Sequence, residues 1–419
     1  MSDVLKRPKR KNPVLRSRAP TLPPLTRSRV AHGLTAAAAR GAFALQVCAE
    51  CGTVQYPPRE ACRQCLSTRL PWRDQDGHGQ LLSATVLRHA QELFFRERVP
   101  WRLGLVQLDV GPTVVTHLHA DVMPADLGDA PCRVRVTAAL DRAGEAVLVA
   151  VPATGTPKLA DDPKLRDMTC DVRFRKVLVT DGKSSVGQAV VRAVVEAGAD
   201  LVWVGAAEPW KKMPGFDALR ELRQVTVMPL DLTDSRSVRE LAAEIGFKVD
   251  ILINTADYHR TFGIAARKGV EDAHSEMEVN YFGLLRLAQE FGPVMKARGA
   301  DGQSSAVAWV NLLSIYALSN FPPHGTYSAS KAAALSLSQA LRAELKGGGV
   351  RVINVFPGPI DDEWNQLLLP PKITPAALAA AIVSTLAGSA EDVYPGDVAQ
   401  EWLARFTDNP KALERELTQ

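Results

Sequence analysis

The chain lacks the features that would place it in a membrane or outside the cell. Its 419 residues contain no run of 18 apolar residues, so we expect no membrane-spanning helix. No apolar core follows the N-terminal charges, as it would in a secretory signal, so we expect a cytoplasmic protein. A repeat period is also missing, which argues against a solenoid.

Strong net charge is missing as well. The net charge is +4, and residues 1–29 hold nine Lys/Arg against one acid, so the remainder carries about −4. The folded part is therefore not a basic, nucleic-acid-binding body. Residues 1–29 have few large apolar side chains and are predicted to be a disordered, solvated tail, although a basic tail can also serve as an import address.

Cysteine is scarce, but four of the six cysteines are clustered. They form two Cys-x2-Cys pairs, Cys48 with Cys51 and Cys62 with Cys65. Four thiolates at this spacing close a tetrahedral Zn²⁺ site without an open position, which predicts a structural metal. The pattern argues against a disulfide framework, and four unrelated buried thiols are an improbable alternative. Neither pair opens a helix after a strand, which argues against a redox role.

The apolar pattern changes at residue 172. Residues 78–151 alternate apolar and polar positions over short stretches, which is typical of a small antiparallel barrel. From Arg173, buried strands alternate with helix-length segments, which predicts an α/β, Rossmann-like, doubly wound parallel sheet. A chain longer than ~250–300 residues is expected to hold several domains. The predicted segments are a tail (1–29), a helical lead-in and zinc ribbon (30–71), a barrel (72–155), a linker (156–171) and the α/β domain (172–419).

The cysteine segment and the first barrel strand after it carry a family resemblance. CAECGTVQYPPREACRQCLSTRLPW, with GHGQLLSATV after it, resembles the rubredoxin-like zinc ribbon and OB-fold barrel that accompany thiolases and related acyl-CoA enzymes. The resemblance spans about residues 30–155. It implies a module that docks an acyl-CoA enzyme; a stabilising ribbon without a ligand is the alternative. Nucleic-acid binding is disfavoured because the barrel strands lack interleaved aromatic and basic residues. The resemblance rests on the four cysteines with Tyr56, Pro57, Pro58 and Trp72.

A tight turn at 180–187 follows the strand KVLVT and leads into a helix. Such a turn presents free N–H groups and a positive helix end to a pyrophosphate. TDGKSSVG resembles the T-G-x-x-x-G-[IV]-G turn of the short-chain dehydrogenase/reductase family, and Gly187 is in register. Asp181 stands at the first glycine and Ser185 at the middle one, so a turn that has lost its cofactor is the alternative.

This resemblance implies the rest of the dinucleotide site. The residues expected to contact NAD or NADP are Thr180, Gly182, Ser184, Ser185, Val186, Gly187, Asp231, Leu232, Asn254, Ala256, Tyr327, Lys331, Pro357, Gly358 and Ile360. Asp257 replaces a family glycine, and aspartate tolerates a left-handed backbone conformation better than most residues. Asp362 replaces a threonine beside the nicotinamide. After the second strand, Glu208, Lys211 and Lys212 do not decide between NAD and NADP.

Four residues match the family's catalytic set. Tyr327 and Lys331 are four apart at the start of a helix and therefore share one face. A nearby ammonium is expected to lower the phenol pKa, so that Tyr327 exchanges a proton with a carbonyl or alcohol oxygen. Ser314 is expected to bind the same oxygen. The resemblance implies that Asn280 holds a water that connects the lysine to solvent.

These patterns predict an NAD(P)-dependent oxidoreductase that interconverts a 3-hydroxyacyl and a 3-oxoacyl group, as a CoA thioester. A non-catalytic scaffold subunit with a degenerate dinucleotide site is the alternative. Residues 363–371 are expected to form a substrate lid, although their apolar side chains also suit a core. Small residues along 326–346 predict a homodimer or homotetramer. They are Ala329, Ala332, Ala333, Ser336 and Ala340.

Overall fold

The chain divides into two compact units. The computed structural model describes residues 22–25, 27–122, 132–155, 157–211, 213, 215–260, 263–266, 268–299 and 305–417. The first unit holds the described residues up to Asp171 together with Ala387–Glu391, and the second holds Val172–Leu386 and the residues from Asp392 onward. No helix in these ranges combines the length and the apolar character needed to cross a membrane.

The first unit begins with a short helix and a small sheet around the cysteines. Helix α1 spans His32–Ala39, and strands β1 (Ala44–Val47), β2 (Val54–Gln55) and β3 (Trp72–Asp74) form an antiparallel sheet in the order β2-β1-β3. The segment Ala387–Glu391 returns to this helix: Glu391 donates its N–H to the Ala39 carbonyl at 2.8 Å. The first unit is therefore discontinuous in sequence.

Most of the predicted tail lies outside the described residues. Its described part is not free, because Arg27 donates from Nε to the Ala146 carbonyl and from Nη1 to the Tyr56 hydroxyl, both at 2.9 Å. The prediction of disorder is therefore wrong at Arg27. A guanidinium with several donors can fix a polar segment onto a folded surface, which composition does not reveal.

Five strands close into a barrel in the order β4-β5-β6-β8-β7. Alternate residues of these strands are buried, as in β7, and they fill the interior. Gly104 lies where strands crowd, since a Cβ there would come within 2.7 Å of Leu118 and Leu81. The elements are β4 (His78–Leu87), helix α2 (Leu93–Arg96), β5 (Trp101–Leu108), β6 (Thr113–Leu118), β7 (Arg133–Leu140) and β8 (Ala146–Pro152).

The predicted linker has structure of its own. Two 3₁₀ turns, Leu159–Asp161 and Leu165–Met168, occur within 156–171. Leu165 and Met168 join Phe94 and Trp101 in a buried cluster on the barrel. Apolar residues spaced along a proline-rich segment are enough to hold it against the barrel by burial.

The second unit is built on a seven-stranded parallel sheet with strand order β11-β10-β9-β12-β13-β14-β15. The order reverses between β9 and β12, which is where ligands bind in such sheets. The predicted α/β doubly wound fold with a zinc ribbon and a barrel is confirmed. The strands are β9 (Lys176–Val179), β10 (Leu201–Ala206), β11 (Val225–Pro229), β12 (Ile251–Asn254), β13 (Ala308–Leu312), β14 (Arg351–Val355) and β15 (Asp392–Val393).

Helix α3 illustrates why the connecting segments are helical. Ser184 precedes it with an extended backbone and accepts a hydrogen bond from the Gly187 N–H. Val186, Val190 and Val194 recur at four-residue spacing and are buried, so one face of the helix covers the sheet. The helices are α3 (Ser185–Glu196), α4 (Phe216–Leu219), α5 (Ser235–Ile245), α6 (Glu271–Met277), α7 (Leu284–Gly299), α8 (Gly325–Lys346), α9 (Pro375–Ala387), α10 (Asp397–Asp408) and α11 (Pro410–Glu416).

Candidate active site and cysteine cluster

The four clustered cysteines meet in space. Their sulfur atoms all lie within 4.8 Å of one another, with Cys48 and Cys62 buried and Cys51 and Cys65 exposed. Two knuckle turns aim the sulfurs inward: Gly52 donates its N–H to the Cys48 carbonyl, and Leu66 donates to the Cys62 carbonyl. This set of four sulfur donors fits a single tetrahedral Zn²⁺ ion.

The environment of the clustered thiols moves their pKa values in opposite directions. Hydrogen bonds from the Thr53 hydroxyl and N–H lower the pKa of Cys51 to about 6. At Cys65 a backbone hydrogen bond from Ser67 lowers the pKa, but the neighbouring thiols outweigh it and raise the pKa to about 12. Four sulfurs at this distance compete for protons, and a bound cation removes that competition.

The turn after β9 requires glycine at two positions. A Cβ on Gly187 would lie 1.7 Å from the Asp181 carbonyl oxygen, and a Cβ on Gly182 would lie 2.0 Å from Val204 Cγ1. Thr180 anchors the turn to the end of β12 by donating its hydroxyl to Asn254 Oδ1 at 2.8 Å. The backbone is thus shaped for close approach, as a dinucleotide turn must be.

Asp181 places a carboxylate inside this turn. Its Oδ1 accepts the Lys183 N–H at 2.9 Å, and burial raises the pKa of the carboxyl group. The Lys183 N–H, which belongs to the turn expected to bind the pyrophosphate, is therefore already bonded to the Asp181 carboxylate. Ser184 caps α3, and Ser185 is exposed.

On the side of the predicted site that would hold the adenine, Asp231 and Leu232 are engaged within the protein. Asp231 Oδ1 accepts both the N–H and the hydroxyl of Thr233, at 2.9 and 2.7 Å. Leu232 is buried. Beyond β10, Lys211 and Glu208 form an exposed ion pair at 3.5 Å, and Lys212 lies outside the described residues.

The structure brings two of the four predicted catalytic residues to one cavity and places a third one helical turn away. Ser314 lies two residues after the end of β13, and Tyr327 lies in the first turn of α8; both line a cavity with Pro357, Gly358 and Ile360. Lys331 lies one turn further along α8, where its Nζ is 3.0 Å from the Leu312 carbonyl and donates to it. The helical spacing and the strand end therefore direct these groups to the carboxyl end of the sheet.

Asn280 lies in a six-residue π-helical segment, Glu278–Gly283. Its Nδ2 donates to the Tyr258 carbonyl at 2.8 Å and to Ser330 Oγ at 2.9 Å, while its Oδ1 accepts the Tyr258 N–H at 3.1 Å. Asn280 thus clamps the loop after β12 against α8. The π-helical turn re-aims this side chain, a use that such turns often have at functional sites.

Asp257 is the residue of this site that sequence reasoning missed. Its Oδ1 lies 2.8 Å from Lys331 Nζ, and its Oδ2 accepts the Tyr327 hydroxyl at 3.3 Å. Leu66 and Phe174 are the described non-glycine residues with positive φ, so Asp257 needs no left-handed backbone. The only sequence signal was that Asp257 stands where the family has a glycine. The structure explains this aspartate by the contacts of its side chain and not by an unusual backbone conformation.

Burial and Asp257, and not Lys331, determine the direction of the Tyr327 pKa in this arrangement. Burial and then the Asp257 carboxylate raise the pKa of Tyr327 well above its ordinary value. The ion pair with Lys331, supported by a hydrogen bond with His259, outweighs burial and keeps the pKa of Asp257 low. The ammonium therefore compensates a carboxylate rather than favouring a phenolate, and the predicted lowering of the phenol pKa is wrong here.

The loop beyond Ile360 resembles a lid more than a core. Leu367 and Leu369 are 86% and 84% exposed, which excludes them from the core. Asp362, in the place of the family threonine, accepts the Trp364 and Asn365 N–H groups and so begins a 3₁₀ turn. Its carboxylate is occupied within the loop.

Comparison with known proteins gives three matches to family models along the chain. Residues 35–71 match the ChsH2 rubredoxin-like zinc ribbon domain and residues 72–137 match the ChsH2 C-terminal OB-fold domain. Residues 175–370 match the short chain dehydrogenase model.

Individual relatives match the second unit. Short-chain dehydrogenase ptmH of Penicillium ochrochloron is 32% identical over 225 residues, which cover 51% of this chain and 77% of that protein. A fatty acyl-CoA reductase of Acinetobacter baylyi is 28% identical, over 44% of this chain and 62% of its own length. A Burkholderia cenocepacia short chain dehydrogenase, solved in complex with NADP, is 33% identical with a TM-score of 0.54, over 59% of this chain and 99% of that one.

Proposed function

The chain belongs to the short-chain dehydrogenase/reductase family of NAD(P)-dependent oxidoreductases, and on that premise we propose that it interconverts a 3-hydroxyacyl and a 3-oxoacyl group carried as a CoA thioester. The observation that carries the proposal is the meeting of Ser314 and Tyr327 at one cavity, with Lys331 one helical turn behind. The bound dinucleotide supplies or accepts the hydride. The chain's own residues position the substrate oxygen and move its proton.

Each catalytic side chain has a distinct role in this proposal. The Tyr327 hydroxyl exchanges a proton with the substrate oxygen, and the Ser314 hydroxyl donates a hydrogen bond to the same oxygen. Lys331 holds Asp257 and the end of β13 in place through its ammonium. Gly182 and Gly187 allow the turn after β9 to pack tightly against Val204 and the Asp181 carbonyl, and the Burkholderia relative solved with NADP supports that class of cofactor.

The acyl-CoA part of the proposal rests on the first unit. Its zinc ribbon and OB fold match the ChsH2 models, and the Acinetobacter relative acts on fatty acyl-CoA by its name. The barrel exposes large apolar side chains that suit a protein partner, such as an acyl-CoA enzyme of the thiolase type. They are Leu82, Val86, Leu87, Leu105 and Val115.

Titration of the purified protein with NADH and with NADPH, followed by nicotinamide fluorescence, tests the cofactor. Reduction of acetoacetyl-CoA with the nucleotide that binds then tests the chemistry. Tyr327→Phe should lower kcat by ~10²–10⁴-fold and leave nucleotide binding unchanged, since only the phenol oxygen carries the proton. A Phe variant with wild-type kcat would refute the role of Tyr327.

A second function, a scaffold without catalysis, is favoured by Asp181 and Asp257. The Asp181 carboxylate already accepts an N–H of the turn after β9, and the Asp257 carboxylate already pairs with the Lys331 ammonium. Under this reading the wild type binds neither nucleotide, and the double variant Asp181→Gly, Asp257→Gly gains binding. Under the enzyme reading the wild type already binds one nucleotide. The same fluorescence titration of both proteins separates the two functions.

A further inference from the structure

A buried histidine that the proposed mechanism does not use lies beside Tyr327. His259 is 4% exposed, and its ring centroid is 4.9 Å from that of Tyr327. Its Nε2 has no hydrogen-bond partner among the described residues, and the ring lines the cavity that Ser314 and Tyr327 share. An unpaired buried nitrogen costs ~1–3 kcal/mol, so a function is the simplest reason for its retention.

His259 is connected to Tyr327 through Asp257. The imidazole Nδ1 lies 3.3 Å from Asp257 Oδ2, and the same oxygen accepts the Tyr327 hydroxyl at 3.3 Å. A carboxylate at Nδ1 selects the tautomer that carries its proton there and leaves Nε2 as an acceptor. The path Tyr327 Oη, Asp257 Oδ2, His259 Nδ1 is therefore continuous, and all three residues line the same cavity.

The family's usual proton path is altered in this chain. Asn280 commits both ends of its amide to Tyr258 and Ser330, and Lys331 is paired with Asp257. Asn280 also fixes the backbone of Tyr258, which lies between Asp257 and His259. The residue that resembles a relay group thus positions the loop that carries the aspartate and the histidine.

We propose that Asp257 and His259 form the proton relay that connects Tyr327 with the water of the cavity. The inference rests on the proposed oxidoreductase function. In reduction the bound dinucleotide would supply the hydride, and Tyr327 gives its proton to the carbonyl oxygen. The phenolate regains a proton through Asp257 from His259 Nδ1, and His259 Nε2 takes one from solvent. Exchange of the ring protons with solvent then restores the Nδ1–H tautomer before the next turnover. The balance is carbonyl, NAD(P)H and one proton to alcohol and NAD(P)⁺.

The charged groups around His259 are consistent with this role. Tyr327 and His324 face it from α8 and the residue before α8, Asp362 faces it from the lid, and Lys331 lies beyond Asp257. The two carboxylates near His259 carry negative charge, which stabilises a transient imidazolium. They are Asp257 and Asp362. Trp364 lies with its ring centroid 5.7 Å from that of His259 and covers it from solvent.

The first test uses chemical rescue. With acetoacetyl-CoA and NADPH or NADH, His259→Ala should lower kcat at least ~10-fold without changing nucleotide affinity, and added imidazole should restore part of the loss. Tyr327→Phe, which lacks the first group of the path, should not respond to imidazole. An alanine variant as active as the wild type would overturn the relay and leave the oxidoreductase function standing. A wild type that binds neither nucleotide would overturn both.

The second test needs no turnover. Nitrogen-15 NMR of histidine-labelled protein, with the His259 signals assigned by their loss in His259→Gln, reports which ring nitrogen carries the proton. The relay requires the Nδ1–H tautomer in the wild type and its loss in Asp257→Gly. A wild-type His259 with its proton on Nε2 would contradict the proposal, whatever the kinetics.

Discussion

Single residues decide how the active site titrates. Tyr327 and Lys331 have the spacing of a reactive pair, yet Asp257 stands between them and binds both. A pairing within one helical turn was predictable from the sequence, because helix geometry fixes it. The contact with Asp257 was not, since it depends on how the loop after β12 folds over α8. Only the departure from the family glycine pointed to the position.

Replacement of Asp257 should move the pH dependence of the reaction. The Asp257 carboxylate helps to raise the pKa of Tyr327, so Asp257→Asn should lower that pKa. Alcohol oxidation requires the deprotonated phenol and rises with pH through the Tyr327 pKa. The rising limb of kcat/KM for 3-hydroxybutyryl-CoA oxidation should therefore move to lower pH.

Asp362→Asn is the matched control for this experiment. Asp362 also faces the site, but its carboxylate bonds within the lid and not to Tyr327. The pH profile of kcat/KM for the Asp362→Asn variant should match that of the wild type. An unchanged limb in Asp257→Asn would mean that the carboxylate does not govern the phenol.

At the scale of elements, turns were the most predictable features. The glycines of the turn and the two cysteine knuckles follow from local chain geometry, whereas Ser184, predicted as a dinucleotide contact, caps α3. The predicted linker was harder, because its 3₁₀ turns are held by burial of Leu165 and Met168 on the barrel. Such packing is a tertiary effect that a short apolar pattern does not report.

The turn after β9 should not tolerate a methyl group at residue 187. Gly187→Ala would place its Cβ 1.7 Å from the Asp181 carbonyl oxygen, so the backbone must shift. We expect a loss of ~1–3 kcal/mol of unfolding free energy and weaker nucleotide binding, measured by urea denaturation and fluorescence titration. Ser185→Ala, at an exposed position of the same turn, should stay within ~0.5 kcal/mol. Equal stability of the two variants would argue against the crowding.

The cysteine cluster should hold one zinc ion per chain. Because the three-stranded sheet β2-β1-β3 is small, metal binding contributes folding energy to it. Elemental analysis of protein purified without added metal should give close to one equivalent, and a chelator should release it with loss of the ribbon's structure. Less than half an equivalent, with four titratable thiols in that segment, would contradict the assignment. Cys51→Ser is expected to reduce retention, whereas Cys170→Ser, outside the cluster, should not.

At the scale of the whole molecule, α8 carries a face that suits self-association. Ala329, Ala332, Ser336 and Ala340 are exposed and Ala333 is half-buried, although they lie on the helix that carries the active site. A row of small side chains lets a second helix approach closely, and a two-fold axis would use the same row twice. The prediction of a homodimer or homotetramer follows from this exposure.

A bulky charge on that row should separate the subunits. Ala333→Arg is expected to give a monomer by light scattering that remains folded by circular dichroism, because the substitution acts on both sides of a two-fold contact. Ala376→Arg, at an exposed position of α9, serves as the control and should leave the assembly size unchanged. A wild type that is already monomeric at micromolar concentration would end the proposal.

The return of Ala387–Glu391 to the first unit affects how the protein can be divided. A single scission after Asp171 would leave the N-terminal piece without the backbone bond from Glu391 to Ala39 and without the Ser389 hydroxyl on the Ala38 carbonyl. The C-terminal piece would carry five orphaned residues beside its last strand. The first unit is thus not one continuous stretch of the chain. Expression of the oxidoreductase unit alone, or deletion of the ribbon and barrel, therefore also requires a redesign of the segment that follows α9.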